Sequence, residues 1–143
     1  MSPKVKKGSR SRARRVLLQA LYQWSMTAES PHEIEAQFVA ERPMDNVDLE
    51  YFQALLHAIP KQTDELDQRL SPSLDRPLEQ LDPIEHSVLR IGCYELMHRK
   101  EVPLRVVINE AIELAKLFGA EQSHKYINGI LDKVARDTRQ EGL

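Results

Sequence analysis

Pro103-Leu104-Arg105-Val106-Val107-Ile108-Asn109-Glu110-Ala111-Ile112-Glu113-Leu114-Ala115-Lys116-Leu117-Phe118-Gly119 decides the fold class. Within it Leu104, Ile108, Ala111, Ala115 and Phe118 recur at offsets of 4, 7, 11 and 14, the period of one helical face and not the alternation of a strand. Pro103 suits the opening of a helix, where its missing amide costs nothing, and Gly119 supplies a stop. A helix with an apolar stripe needs other elements to cover it.

The flanking sequence offers more helices. Upstream, Asp82-Pro83-Ile84-Glu85 combines a capping carboxylate, a proline at the first helical position and a glutamate three residues on. Ile84, Val88, Leu89, Ile91 and Leu96 then mark a strongly apolar helix to about residue 98, the expected central core helix. Downstream, Tyr126, Ile127, Ile130, Leu131 and Val134 predict a last helix over about 121–136. Nearer the start, Leu17, Ala20, Leu21 and Trp24 form the buried stripe of a helix over about 11–26. Ser30-Pro31-His32-Glu33 repeats the capping pattern and opens a short second helix that ends before Pro43. A third opens between Asp45 and Asp48 and turns Leu49, Phe52, Leu55, Leu56 and Ile59 inward, with a break at Pro60 and helix again over 63–70. The expectation is an all-α protein of six to seven helices, one domain made of two small bundles over about 10–70 and 77–138. The connection 71–77, rich in Ser and Pro, is the expected boundary.

At 143 residues and 41% apolar content the chain has one domain's worth of core. No apolar stretch approaches the roughly 20 residues that span a bilayer, no apolar segment follows the basic start, and the single cysteine has no internal disulfide partner. A cytoplasmic protein with no membrane association is expected. The net charge of −2 hides a polarised distribution: residues 1–15 carry +7, residues 29–67 carry −8 and residues 68–143 carry −1. Residues 1–9 read as a flexible basic arm ahead of a helical domain over 10–143.

Catalytic apparatus is missing. The chain has no Walker loop, GxGxxG, GxSxG or HExxH motif, its five histidines have no ligand spacing, and neither a metal nor a cofactor is expected. Cys93 beside Gly92 reads as a small buried thiol, and Glu110 and Glu113 as solvated or interface carboxylates. The basic start is more informative. Arg10, Arg12, Arg14 and Arg15 enter the first helix, where positive charge opposes the helix dipole and a bound anion relieves it. Guanidinium forks suit phosphates and stack on bases, so an arm of this kind suits single-stranded RNA, with Tyr22, Trp24, Phe118 and Tyr126 as stacking platforms. The bland alternative is a solubilising tail. By its spacing Trp24 reads as core, whereas the polar and cationic neighbours Ser123, His124 and Lys125 make Tyr126 a partly exposed helix start.

The stretch 102–119 closely resembles the signature of the NusB family of bacterial transcription antitermination factors. Ser123-His124-Lys125-Tyr126-Ile127-Asn128-Gly129-Ile130-Leu131-Asp132-Lys133 resembles that family's SHKFVNGVLDK, Leu89-Arg90-Ile91-Gly92-Cys93-Tyr94-Glu95-Leu96 its LRIAxYEL, and Gln19-Ala20-Leu21-Tyr22-Gln23-Trp24 its QALYxW. These motifs span nearly the whole chain in the family's order. The resemblance implies two three-helix bundles and a binding adaptor that is not an enzyme. It further implies pairing with NusE, a small-subunit ribosomal protein, binding of boxA RNA, and entry into the antitermination complex on RNA polymerase in ribosomal RNA operons. The RNA-facing positions it implies are Lys7, Arg10, Arg12, Arg14, Arg15, Phe118, Gln122, Lys125 and Tyr126, and the NusE-facing ones Tyr22 and Glu85. Gln122 stands where the family usually has an acid and Tyr126 where it has Phe. Asn109, Glu110 and Asn128 match the signature as packing or capping residues. Among rival readings, RNA cytosine methyltransferases that carry such a domain need a further catalytic domain. A homodimer burying the same helix faces is the other partner state considered.

Overall fold

The computed structural model describes residues 7–139, and every regular element among them is helical. The α-helices are α1 (Ser9–Met26), α2 (Pro31–Glu41), α3 (Leu49–Ala58), α4 (Thr63–Leu70), α5 (Pro83–His98), α6 (Leu104–Phe118) and α7 (Ser123–Arg139), with short 3-10 turns at Ile59–Gln62, Ser71–Ser73 and Leu78–Gln80. No helix among the described residues is long and apolar enough to cross a membrane.

The capping patterns act as the sequence suggests. Ser30 Oγ accepts from the Glu33 amide, capping the start of α2, and donates to the Glu33 carboxylate, both at 3.2 Å. Asp48 accepts from the Tyr51 amide at 3.1 Å to open α3, and Asp82 accepts from Ile84 and Glu85 to open α5. The Glu85 side chain turns away from this cap.

The chain divides into two compact units, residues 1–61 and 62–143. This differs from the expected boundary at 71–77, because α4 packs on α5 and so belongs to the second unit. In the first unit α1, α2 and α3 pack on one another. Leu17, Leu18, Ile34, Phe52, Leu55, Leu56 and Ile59 are fully buried, and Phe38 stacks on Phe52 with ring centroids 6.5 Å apart. Trp24 is only half-buried and so is not the core residue its spacing suggested, since the buried stripe of α1 follows Ala13, Leu17, Ala20 and Leu21.

In the second unit α5 is central, packed against α4, α6 and α7. The face of α6 that is buried carries Val107, Ala111, Leu114 and Ala115. Leu104 is 40% exposed, and Ile108 and Phe118 are half-buried, so the stripe read from sequence lies to one side of the true contact face. Gly92 lets α7 approach α5: a Cβ there would stand 2.8 Å from Leu131 Cδ1. Cys93 is buried, and burial pushes its thiol up to about 12, far from thiolate chemistry.

Two polar devices lock this unit. Asp67 on α4 receives Arg90 in a two-pronged bond, at 3.0 Å from Nε and 2.7 Å from Nη2, and lies 2.8 Å from His86 Nε2. At the far end of α5, Arg139 donates to the carbonyls of Leu96 (3.1 Å), Glu95 (3.0 Å), Arg99 (3.2 Å) and Val102 (2.7 Å). One guanidinium from α7 thereby adds donors to carbonyls at and just beyond the end of α5, of which Glu95 and Arg99 also accept from backbone amides, and places a cation at the negative pole of that helix.

Candidate nucleic-acid interface

The four arginines that enter α1 have different surroundings. No acid lies in the first turn of this helix, and Gly8 precedes it with φ 79°, a left-handed conformation suited to glycine. Arg10 lies over the Tyr51 ring, 4.1 Å from its centroid, and pairs with Asp48 at 3.5 Å. Arg12 donates to the Asn46 carbonyl at 2.6 Å and the Lys7 carbonyl at 2.9 Å, which clips the helix start to the loop ahead of α3. Arg14 is 2% exposed, 5.5 Å from the centroid of the same Tyr51 ring. Arg15 and Lys7 are exposed. The expectation that Arg14 meets RNA is therefore corrected: the 100° step per residue that turns Arg15 to solvent turns Arg14 inward. The described part of the expected flexible arm, residues 7–9, is ordered. Ser9 already belongs to α1, Lys7 and Gly8 form a turn, and residues 1–6 lie outside the described residues. Tyr22, three turns along α1, is exposed.

The second unit gathers its candidates around the start of α7. Phe118 closes α6 and is half-buried, Gln122 and Lys125 are exposed, and Tyr126 is half-buried in the first turn of α7. Gln122 has φ 73°, the one positive-φ residue other than glycine among the described residues. That conformation is uncommon for a side-chain-bearing residue and sets the angle at which the chain enters α7. Glu85 accepts from Ser123 Oγ at 2.8 Å, so it joins the start of α5 to the start of α7 instead of completing a capping box with Asp82.

Two residues that sequence reading missed complete the cluster. Arg76 lies over the Tyr126 ring with its guanidinium carbon 4.4 Å from the centroid, and its Nε and Nη2 reach the Asp75 carboxylate at 2.8 and 3.4 Å. Arg76 holds the Asp75 carboxyl below its ordinary range, and in return its own pKa is raised. The Tyr126 hydroxyl is buried near Asp75 without a well-formed hydrogen bond to it, and burial first, then that carboxylate, raises its pKa. An arginine inside a Ser- and Pro-rich connection carries no periodic signal, and only its charge sets it apart.

Gly119 keeps this corner closed. A Cβ there would stand 2.8 Å from the Ala115 carbonyl oxygen and 3.1 Å from Ser123 Oγ. Gly119→Ala is expected to cost about 1–3 kcal/mol, because the clash is with backbone and cannot be relieved by a rotamer change. The denaturant midpoint measures it, and a variant as stable as the parent would mean the corner has room to give.

No group of three or more His, Cys, Asp or Glu among the described residues is placed to hold a metal. Arg76 and Arg42 are exposed cations that lie over aromatic rings, those of Tyr126 and Phe38.

The NusB family profile matches residues 11–136. The chain belongs to the NusB family. A transcription antitermination protein NusB from Alcanivorax borkumensis is 53% identical over 131 residues, covering 92% of this chain and 87% of that one. The same-named protein from Pseudomonas entomophila is 50% identical, over 94% of this chain and 81% of its own. Among solved structures, NusB of T. maritima aligns with TM-score 0.80 and 31% identity over 99% of this chain and 97% of that one. A crystal structure of antitermination factors NusB and NusE in complex with double-stranded RNA aligns with TM-score 0.83 and 26% identity, over 92% of this chain and 99% of the matched one. The NusB fold is therefore shared along nearly the full length of this chain.

Proposed function

We propose that this protein is a transcription antitermination factor that pairs with NusE, binds boxA single-stranded RNA, and joins the antitermination complex on RNA polymerase in ribosomal RNA operons. It acts by binding, without turnover. The observation that carries this reading is the likeness, over 92% of the chain, to a solved structure of NusB and NusE in complex with double-stranded RNA, while the single-stranded form is our own reading of the target. The exposed Lys7 and Arg15, with Arg10 half-exposed, supply phosphate contacts from the first unit. Phe118, Gln122, Lys125 and Tyr126 supply contacts from the second. Tyr22 and Glu85 face NusE in this reading, Glu85 while it holds Ser123. Arg14 supports α1 from within, and Arg12 shapes its start.

The test is binding to boxA RNA and to a scrambled control, with and without NusE, across a salt series. Discrimination that strengthens with NusE is expected. Replacing Lys7 and Arg15 by Gln should flatten the log–log salt dependence by about 1.4 units, at about 0.7 for each single-strand phosphate no longer neutralised. An unchanged slope would remove the basic start from the interface.

A further inference from the structure

The connection between α4 and α5 is left over once the proposed function has been assigned its residues, yet it holds Asp75 and Arg76 against Tyr126. Three features of this cluster bear on what it does. The Arg76 guanidinium carbon lies over the Tyr126 ring, 4.4 Å from its centroid, and the side chain as a whole stays 39% exposed. The Nε–Nη2 edge of that guanidinium, the edge that binds a phosphate in two-pronged fashion, is already taken by a carboxylate. That carboxylate belongs to the adjacent residue and is 65% exposed, so an ion pair of this kind adds little to the stability of the fold. Glu85 is a second negative charge near Arg76.

From this we infer that Arg76, stacked on Tyr126, is a subsite for one nucleotide of single-stranded RNA, and that Asp75 is a built-in competitor which the RNA phosphate displaces from the Arg76 fork. The inference rests on the RNA-binding reading and names a subsite and a restraint within it. The aromatic ring orients the guanidinium, the guanidinium offers its plane to a base and its edge to a phosphate, and the Asp75 carboxylate lowers affinity until a phosphate replaces it. Weak or misplaced strands do not repay the displacement, so Asp75 favours correctly seated RNA over any polyanion.

The experiment uses the full chain with NusE and a fluorescein-labelled boxA RNA, with a scrambled RNA of equal length as control. Asp75→Asn removes the charge and keeps the size, and should tighten binding about two- to fivefold, with the larger gain on the scrambled RNA. Arg76→Gln should weaken binding about tenfold and reduce the salt slope by about 0.7. In the Arg76→Gln background, Asp75→Asn should change nothing, because the competitor has lost the group it competes for. An equal gain in both backgrounds, or none in either while Lys7 and Arg15 variants still weaken binding, would overturn the subsite and leave the proposed function standing. No RNA binding by the parent complex would overturn both. Thermal midpoints within a degree or so of the parent are expected for all three variants, since both side chains are substantially exposed.

Discussion

Arg14→Ala is expected to remove about 2–4 kcal/mol of folding stability, whereas Arg15→Ala, one residue on, should cost less than about 0.5 kcal/mol. Arg14 is among the largest fully buried side chains of the protein. Its guanidinium shares the Tyr51 ring with Arg10, and truncation to Cβ empties a buried volume beside Tyr51 of α3. Arg15 has solvent on its side of the helix. Urea denaturation of both variants gives the comparison directly, and RNA binding should show the reverse ranking once Arg14→Ala is measured well below its midpoint. A stable Arg14→Ala that has lost RNA binding would return Arg14 to the interface.

The second large effect concerns the lock between α4 and α5. Asp67→Asn is expected to cost about 1–3 kcal/mol near neutral pH, because it weakens a charge-assisted fork with Arg90 and the bond with His86. Burial raises the Asp67 carboxyl, but hydrogen bonds from His86 and Arg90, with the Arg90 charge, outweigh it and leave the pKa below 3.8. A depressed carboxylate contributes stability that is fully present above its unfolded value and lost as pH falls through its folded one. The parent and Asp67→Asn should therefore differ by a constant amount above about pH 5 and converge below pH 3.8. A difference that persists undiminished into acid would mean the carboxylate charge is not what holds the two helices.

Helix existence and capping were legible because they depend on neighbours in sequence. Asp48, Asp82 and the Ser30–Glu33 pair bond as their spacing requires. The rotation of each helix about its axis was less legible. Leu104 and Phe118 keep the same helical period as Val107 and Ala111, and only the arrival of α5 and α7 selects which face is covered. The division between units fell outside the Pro-rich 71–77 connection for a related reason, since Leu66, Asp67 and Leu70 tie α4 to its sequel by contacts that local composition does not encode. Among the site residues, motif resemblance singled out 118–126 and Glu85, and the hydrogen bond from Ser123 brings Glu85 to that corner. Arg14, an arginine in a basic run, packs as a core residue, which resemblance does not signal, and the placing of Arg76 over Tyr126 spans fifty residues of chain, which no local pattern encodes.

Arg139 carries a consequence for time as well as energy. Its four carbonyl partners lie 37 to 44 residues earlier in the chain, so the clip closes only after α6 and α7 have both been laid down. Contacts of that separation repay their closure entropy late in folding, and interactions absent from the transition state act chiefly on the unfolding rate. Local bonds from the Arg99 and Val102 amides close the end of α5 from nearby in sequence, and the Arg139 clip adds the long-range donors to it. On that account the clip would act on how long the second unit persists more than on how fast it appears.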